Sequence, residues 1–225
     1  MPYPLPMRTS RRLRRNAGIC IATLMAGLLS FLAPGARFAA GTPDREGYWL
    51  VGSDGGVFAF GGAPFLGSTG ALSLNQPITG MAAAPSGGGY WLVASDGGIF
   101  AFGDAAFFGS TGAVRLNKPV VGMASTPTGK GYWLLAADGG LFSFGDAGFF
   151  GSLPASGITS PAVAMRPTRT GGGYLVVTAT GAVVNYGDAP VLGGVPDAVP
   201  GYKGGVVGLE VKAAPVVPSS SQANR

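Results

Sequence analysis

GYWLLAADGGLFSFGDAGFFGS, residues Gly131–Ser152, decides the fold: close copies of it begin at Gly47, Gly89 and Gly173, each 42 residues from the next. A fixed period of roughly 20–50 residues marks an array of supersecondary units that bury their apolar faces on one another. Within this copy, Tyr132–Ala137 is apolar and bounded by turn residues, which predicts a strand. Asp138-Gly139-Gly140 follows as a hairpin turn, since Asp-Gly supplies the positive φ that such turns need. Leu141–Phe144 is the return strand, Gly145-Asp146-Ala147 a second turn, and Phe149–Ser152 a third strand. Upstream, Val120–Ser125 reads as another strand, ended by Pro127-Thr128-Gly129.

Four short strands in 42 residues is the size of one β-propeller blade. Both alternating faces of Tyr132-Trp133-Leu134-Leu135 are apolar, so the strand is expected to be covered on both sides. A two-sheet sandwich would also hide such faces, but it has no reason to repeat at a strict interval. The expected fold is therefore all-β: a β-propeller-like array of four-stranded blades, with repeats from residues 47, 89, 131 and 173, filling residues 38–213.

Composition agrees. Charged residues make up 11% of the chain, against about 25% in typical domains. Glycine, at 41 of 225 residues, suits many tight turns and lacks the three-residue period of collagen. The net charge of +5 misleads, because Arg8, Arg11, Arg12, Arg14 and Arg15 account for five of the 15 basic residues. The rest is balanced, ten basic against ten acidic, and carries no electrostatic footprint for nucleic acid.

Residues 1–37 have the order of an export signal: the arginines, then the uncharged run Ile19–Ala33, then Pro34-Gly35 and small residues. The apolar run is short of the ~20 residues that span a bilayer. An uncleaved N-terminal anchor is the alternative, and it would be the only contact with a membrane. The single cysteine, Cys20, lies in this run, so the exported body is expected to hold no thiol and no thiolate metal site. Residues 214–225 are Pro/Ser-rich and are expected to form a disordered tail.

The two ends of the array look incomplete. Ala39-Ala40-Gly41-Thr42-Pro43 is a worn version of Met123-Ala124-Ser125-Thr126-Pro127, which leaves the first blade short of an inner strand. Val206-Val207-Gly208-Leu209 matches Val120-Val121-Gly122-Met123, displaced by two residues from the strict period. A spare strand at one end and a deficit at the other suggest that the last strand pairs into the first blade and closes the ring, removing open sheet edges. The alternative is an open arc that completes itself as a homodimer.

GYWLVASDGGIFAFGDAAFFGSTG, Gly89–Gly112, resembles a repeat of secreted actinobacterial proteins that commonly reads GYWLVASDGGVFxFGDAxFxGS. The resemblance extends over about residues 38–212. It implies a propeller-like array outside the cell, alone or beside secreted hydrolase domains, in a non-catalytic accessory role. It assigns no functional residues.

Chemistry is sparse. With no histidine in the sequence, a Ser-His-Asp triad and imidazole metal sites are excluded. Asp54, Asp96 and Asp138 stand in Asp-Gly-Gly turns, and Asp104, Asp146 and Asp188 in Gly-Asp-Ala turns, where such side chains cap their own backbone. One carboxylate per loop does not assemble a calcium site. Neither catalytic residues, nor a metal, nor a cofactor is expected. Ligand-facing positions are expected where the copies differ: Asn75, Gln76, Arg115, Asn117 and Lys118 in the connectors, with Arg166, Arg169 and Glu210 nearby. The leading expectation is an exported, non-enzymatic binding module at the cell surface or outside the cell, taking an envelope protein or cell-wall glycan. The alternative is a hydrolase-associated or weakly hydrolytic propeller acting on envelope substrates around Glu210.

Overall fold

A computed structural model describes residues 47–209. The segment expected to direct export, with Cys20, the strand expected within residues 38–46, Glu210 and the expected C-terminal tail lie outside the described residues.

Four antiparallel sheets follow one another along the chain. The first pairs β1 (Gly47–Val51) with β2 (Val57–Gly61). The second has the order β3 (Ile78–Ala83), β4 (Gly89–Ala94), β5 (Ile99–Gly103). The third repeats it as β6 (Val120–Ser125), β7 (Gly131–Ala136), β8 (Leu141–Gly145). The fourth does so again as β9 (Ala162–Pro167), β10 (Gly173–Thr178), β11 (Val183–Gly187). In the three-stranded sheets the GYW motif, GYL in the fourth copy, forms the middle strand, and β3, β6 and β9 lie side by side at the inner edge. This is the blade arrangement of a β-propeller. Among the described residues, no helix is long and apolar enough to cross a membrane.

The middle strand is held from both faces. Trp91 and Val93 of the second blade pack on Tyr132 and Leu134 of the third. Trp133 and Leu135 of the third pack in turn on Tyr174 and Val176 of the fourth. These side chains are fully buried, each contributing on the order of 1.5–3 kcal/mol of transfer free energy. A buried phenol or indole also needs hydrogen-bond partners. Trp133 Nε1 donates to Gly148 O at 2.7 Å, within its own blade. The tyrosine reaches across to the preceding one. Tyr132 Oη donates to Gly109 O at 2.6 Å and accepts from the Phe108 N–H at 3.1 Å. The same two bonds link Tyr90 to Gly67 and Leu66, and Tyr174 to Gly151 and Phe150.

Two expectations differ from the structure. The segment Phe149–Ser152 is not a fourth strand, so blades two to four have three strands each. Its backbone groups are committed elsewhere, Phe150 N–H and Gly151 O to Tyr174, and the next residue, Leu153, donates its N–H to Gly139 O. Gly151 has φ 139°, and a Cβ there would stand 2.5 Å from the Tyr186 ring, so the chain must turn without a side chain at this point. Nor, among the described residues, does the C-terminal segment close the ring. Val206–Leu209 forms no ladder with β1, and the face of the first blade formed by Tyr48, Leu50, Phe58 and Phe60 is exposed.

Leu134→Ala is expected to lower unfolding free energy by about 2–5 kcal/mol. The equivalent change at the bare face, Leu50→Ala, is expected to cost about 0.5 kcal/mol or less. Urea denaturation of the two variants distinguishes them. Burial pushes the Tyr132 and Tyr174 phenols above their ordinary value, partly offset by their backbone hydrogen bonds. The folded state therefore holds these protons more tightly than the unfolded state does. Stability from this source is complete below the unfolded value of about 10 and falls as pH rises through the raised one. Tyr132→Phe is expected to cost about 1–3 kcal/mol at neutral pH, by stranding Gly109 O and the Phe108 N–H, and to flatten the alkaline decline.

Candidate functional site

Outside the packing positions, the repeats differ most in the connectors that enter β3, β6 and β9. Each connector is clamped by backbone on both sides. Ile78 N–H bonds to Ser53 O, and Pro77 O accepts from Ser95 N–H, both at 2.9 Å. Val120 and Pro119 repeat this between Ser95 and Ala137, and Ala162 and Pro161 between Ala137 and Ala179. The connectors thus alternate with the Asp-Gly-Gly turns along one end of the blades. The turns themselves are held by Asp54, Asp96 and Asp138, each Oδ1 accepting from the N–H two residues on. That is the self-capping expected of Asp in turns.

Two adjoining clefts of about 300 and 320 Å³ open at the first connector. Leu72, Leu74 and Phe100 give them apolar walls, Asn75 and Gln76 add amides, and Asp54 and Asp96 add carboxylates. Gln76 Oε1 accepts from Ser95 Oγ at 3.3 Å, which orients the amide. Asn117, Lys118 and Arg115 occupy the same places at the second connector and are exposed. The third connector departs: a 3-10 turn, Pro154–Ser156, precedes Thr159-Ser160-Pro161 and carries no amide pair.

The remaining candidates fall elsewhere. Arg169 lies in the turn between β9 and β10, at the opposite end of the blade. Arg166 stands on β9 opposite Leu175 and borders a separate cleft with Met123, Leu135 and Val207–Leu209. Glu210 lies outside the described residues.

The opposite end carries a feature that the sequence reading placed in the wrong partnership. Asp146 does not cap its own turn with its side chain. It accepts from Thr126 Oγ1 at 2.8 Å and from Thr128 Oγ1 at 2.5 Å, tying the preceding hairpin turn to the outer strand. Asp188 accepts in the same way from Thr168 and Thr170, and Asp104 from Ser86. The Thr170 and Thr168 hydroxyls hold the Asp188 carboxyl below the usual carboxylate range. The Thr-x-Thr spacing ahead of the GYW motif was the signal available. Among the described residues, no three His, Cys, Asp or Glu side chains gather as metal ligands would.

No family model matches the chain, and no curated protein matches it. Among solved structures it is similar to the β-propeller domain of Myceliophteria thermophila Cps50 (Swd1), at 13% identity and a TM-score of 0.40, over 64% of this chain. The chain spans about half, 52%, of that domain. The propeller architecture is carried by the chain's own sheets and their packing.

Replacing Thr168 and Thr170 by valine is expected to return the Asp188 carboxyl toward its ordinary value, read by NMR titration of its side-chain carbon. The native carboxylate is favoured above the ordinary range of about 4, and this advantage is lost as pH falls through the depressed value.

Proposed function

We propose that the protein is a non-catalytic binding module that presents its connector face to a hydroxyl-rich ligand, a cell-envelope glycan. The carrying observation is the pair of clefts at Asn75 and Gln76. Amides and carboxylates beside Leu and Phe walls suit sugar hydroxyls set around an apolar ring face. The connectors vary while the packing positions around them repeat, as on the binding faces of other repeat proteins. Export through residues 1–37, and kinship with the secreted actinobacterial repeat proteins, belong to the same proposal and rest on the sequence pattern.

A protein of the envelope is the second reading, favoured by the exposed Arg115 and Lys118 of the second connector. A hydrolytic role would rest on Glu210, the one acid that the sequence puts on an expected inner strand, and a single carboxyl does not make an acid and base pair.

The protein is expected to be retained on purified cell-wall polysaccharide, and Asn75→Ala with Gln76→Ala to weaken retention at least tenfold, about 1.4 kcal/mol. Retention only on envelope proteins, lost with Arg115→Glu and Lys118→Glu, would transfer the function to the second reading. Retention on neither removes the binding function. A panel of ester, peptide and glycoside substrates is expected to be left intact. Turnover abolished by Glu210→Gln would overturn the non-catalytic assignment.

A further inference from the structure

We infer that the two ends of the array are complementary, and that the bare face of the first blade docks on the last blade of a second copy of this chain. The junction between blades occurs three times within the chain, so what each side requires is on view. The following blade contributes a tyrosine hydroxyl and a second aromatic ring beside it. The preceding blade contributes one carbonyl, one N–H and a glycine that lets the ring approach.

The first blade has the tyrosine side of this junction without a partner. Tyr48 is 58% exposed, whereas Tyr90, Tyr132 and Tyr174 at the same position are 0% exposed. Tyr48 stacks on Phe60 at 5.1 Å, as Tyr90 sits by Phe102 and Tyr132 by Phe144. Its hydroxyl has no partner among the described residues.

The fourth blade has the other side. Leu192 and Gly193 stand where Phe150 and Gly151 stand one period earlier. Gly193 keeps a positive φ, 83°, and Leu192 is 84% exposed. Neither the Leu192 N–H nor the Gly193 carbonyl has a partner among the described residues. Leu175 stands in place of the tryptophan and leaves an apolar side chain beneath the incoming tyrosine, and Leu192 in place of phenylalanine has a precedent in Leu66 at the first junction.

The inner edge points the same way. Val206 N–H bonds to Ala179 O at 2.9 Å, as Ile78, Val120 and Ala162 bond to Ser53, Ser95 and Ala137. Val206–Leu209 therefore begins the inner strand of a further blade, although it forms no ladder. In the second blade, Ile78 lies opposite Ala94, Gly80 opposite Val93 and Met81 opposite Leu92. The same register places Val206 opposite Gly52, Gly208 opposite Val51 and Leu209 opposite Leu50 of the second copy. Among the described residues, β1 has no inner partner. An exposed edge beside an exposed apolar face is the arrangement that seeks another chain.

Because the interface is head to tail, the two contacting surfaces differ, and a two-chain ring or a longer chain of copies results according to whether the rotation closes. Full-length protein is expected to elute as multiples of the monomer in light-scattering chromatography. Tyr48→Arg and Leu192→Asp are each expected to give monomer with unchanged far-ultraviolet circular dichroism, since both positions are exposed. Mixing the two variants restores a dimer, because one junction of the mixed pair keeps wild-type residues on both sides. Three results would each overturn the inference: a wild-type monomer up to the solubility limit, an assembly indifferent to Leu192→Asp, or a mixture that stays monomeric. The second of these would mean that Tyr48 faces meet one another, and the first that the face is covered by the chain's own residues before Gly47.

Discussion

Each internal junction depends on one tyrosine hydroxyl. Tyr90, Tyr132 and Tyr174 are enclosed in apolar surroundings, where an unpaired phenol would be costly, and each finds both its acceptor and its donor on the blade before it. Apolar packing alone is non-directional and tolerates sliding. A short hydrogen bond to a fixed carbonyl does not, so the tyrosine sets the register between successive sheets. The glycine whose carbonyl accepts also lets the neighbouring aromatic ring approach: Gly109 lies beneath Phe144, and Gly151 beneath Tyr186. The repeat therefore keeps tyrosine, glycine and aromatic together while the connectors diverge.

The two ends of each blade are fixed by different chemistry. At the connector end, backbone bonds pass from turn to connector to next turn, and no side chain is needed for the purpose. Side chains there are free to differ, and they do: an amide pair at Asn75 and Gln76, an amide and an ammonium at Asn117 and Lys118, hydroxyls at Thr159 and Ser160. At the other end, side chains carry the structure, through the clamp of Asp146 on Thr126 and Thr128 and its fourth-blade counterpart. A surface free of structural duty is the one that can be adapted to a ligand.

Much of the fold was legible because its determinants are local and repeated. The period, the buried middle strand and the Asp-Gly-Gly turn each write themselves into a few consecutive residues. The missing outer strand was not legible: Phe149–Ser152 is apolar and alternating, and only the demand of Tyr174, 23 or 24 residues later and in another blade, removes it from a sheet. Asp146 and Asp188 were misassigned for the same reason, since a turn aspartate and one that grips a hydroxyl in the neighbouring turn look alike in sequence. Of the candidate ligand-facing residues, Asn75, Gln76, Arg115, Asn117 and Lys118 fall on one end because they share a repeat position. Arg166 and Arg169 do not, because the strand between connector and turn carries them away.

Among the described residues the blades touch only their neighbours, so the first and the fourth each have a neighbouring blade on one side only. In the first blade, the β1–β2 pair has no inner strand among the described residues and leaves Tyr48, Leu50, Phe58 and Phe60 exposed, so in a single copy local opening should start there and work inward as a zipper does. Amide exchange would then rank the sheets by distance from that end, giving the single molecule a direction of melting.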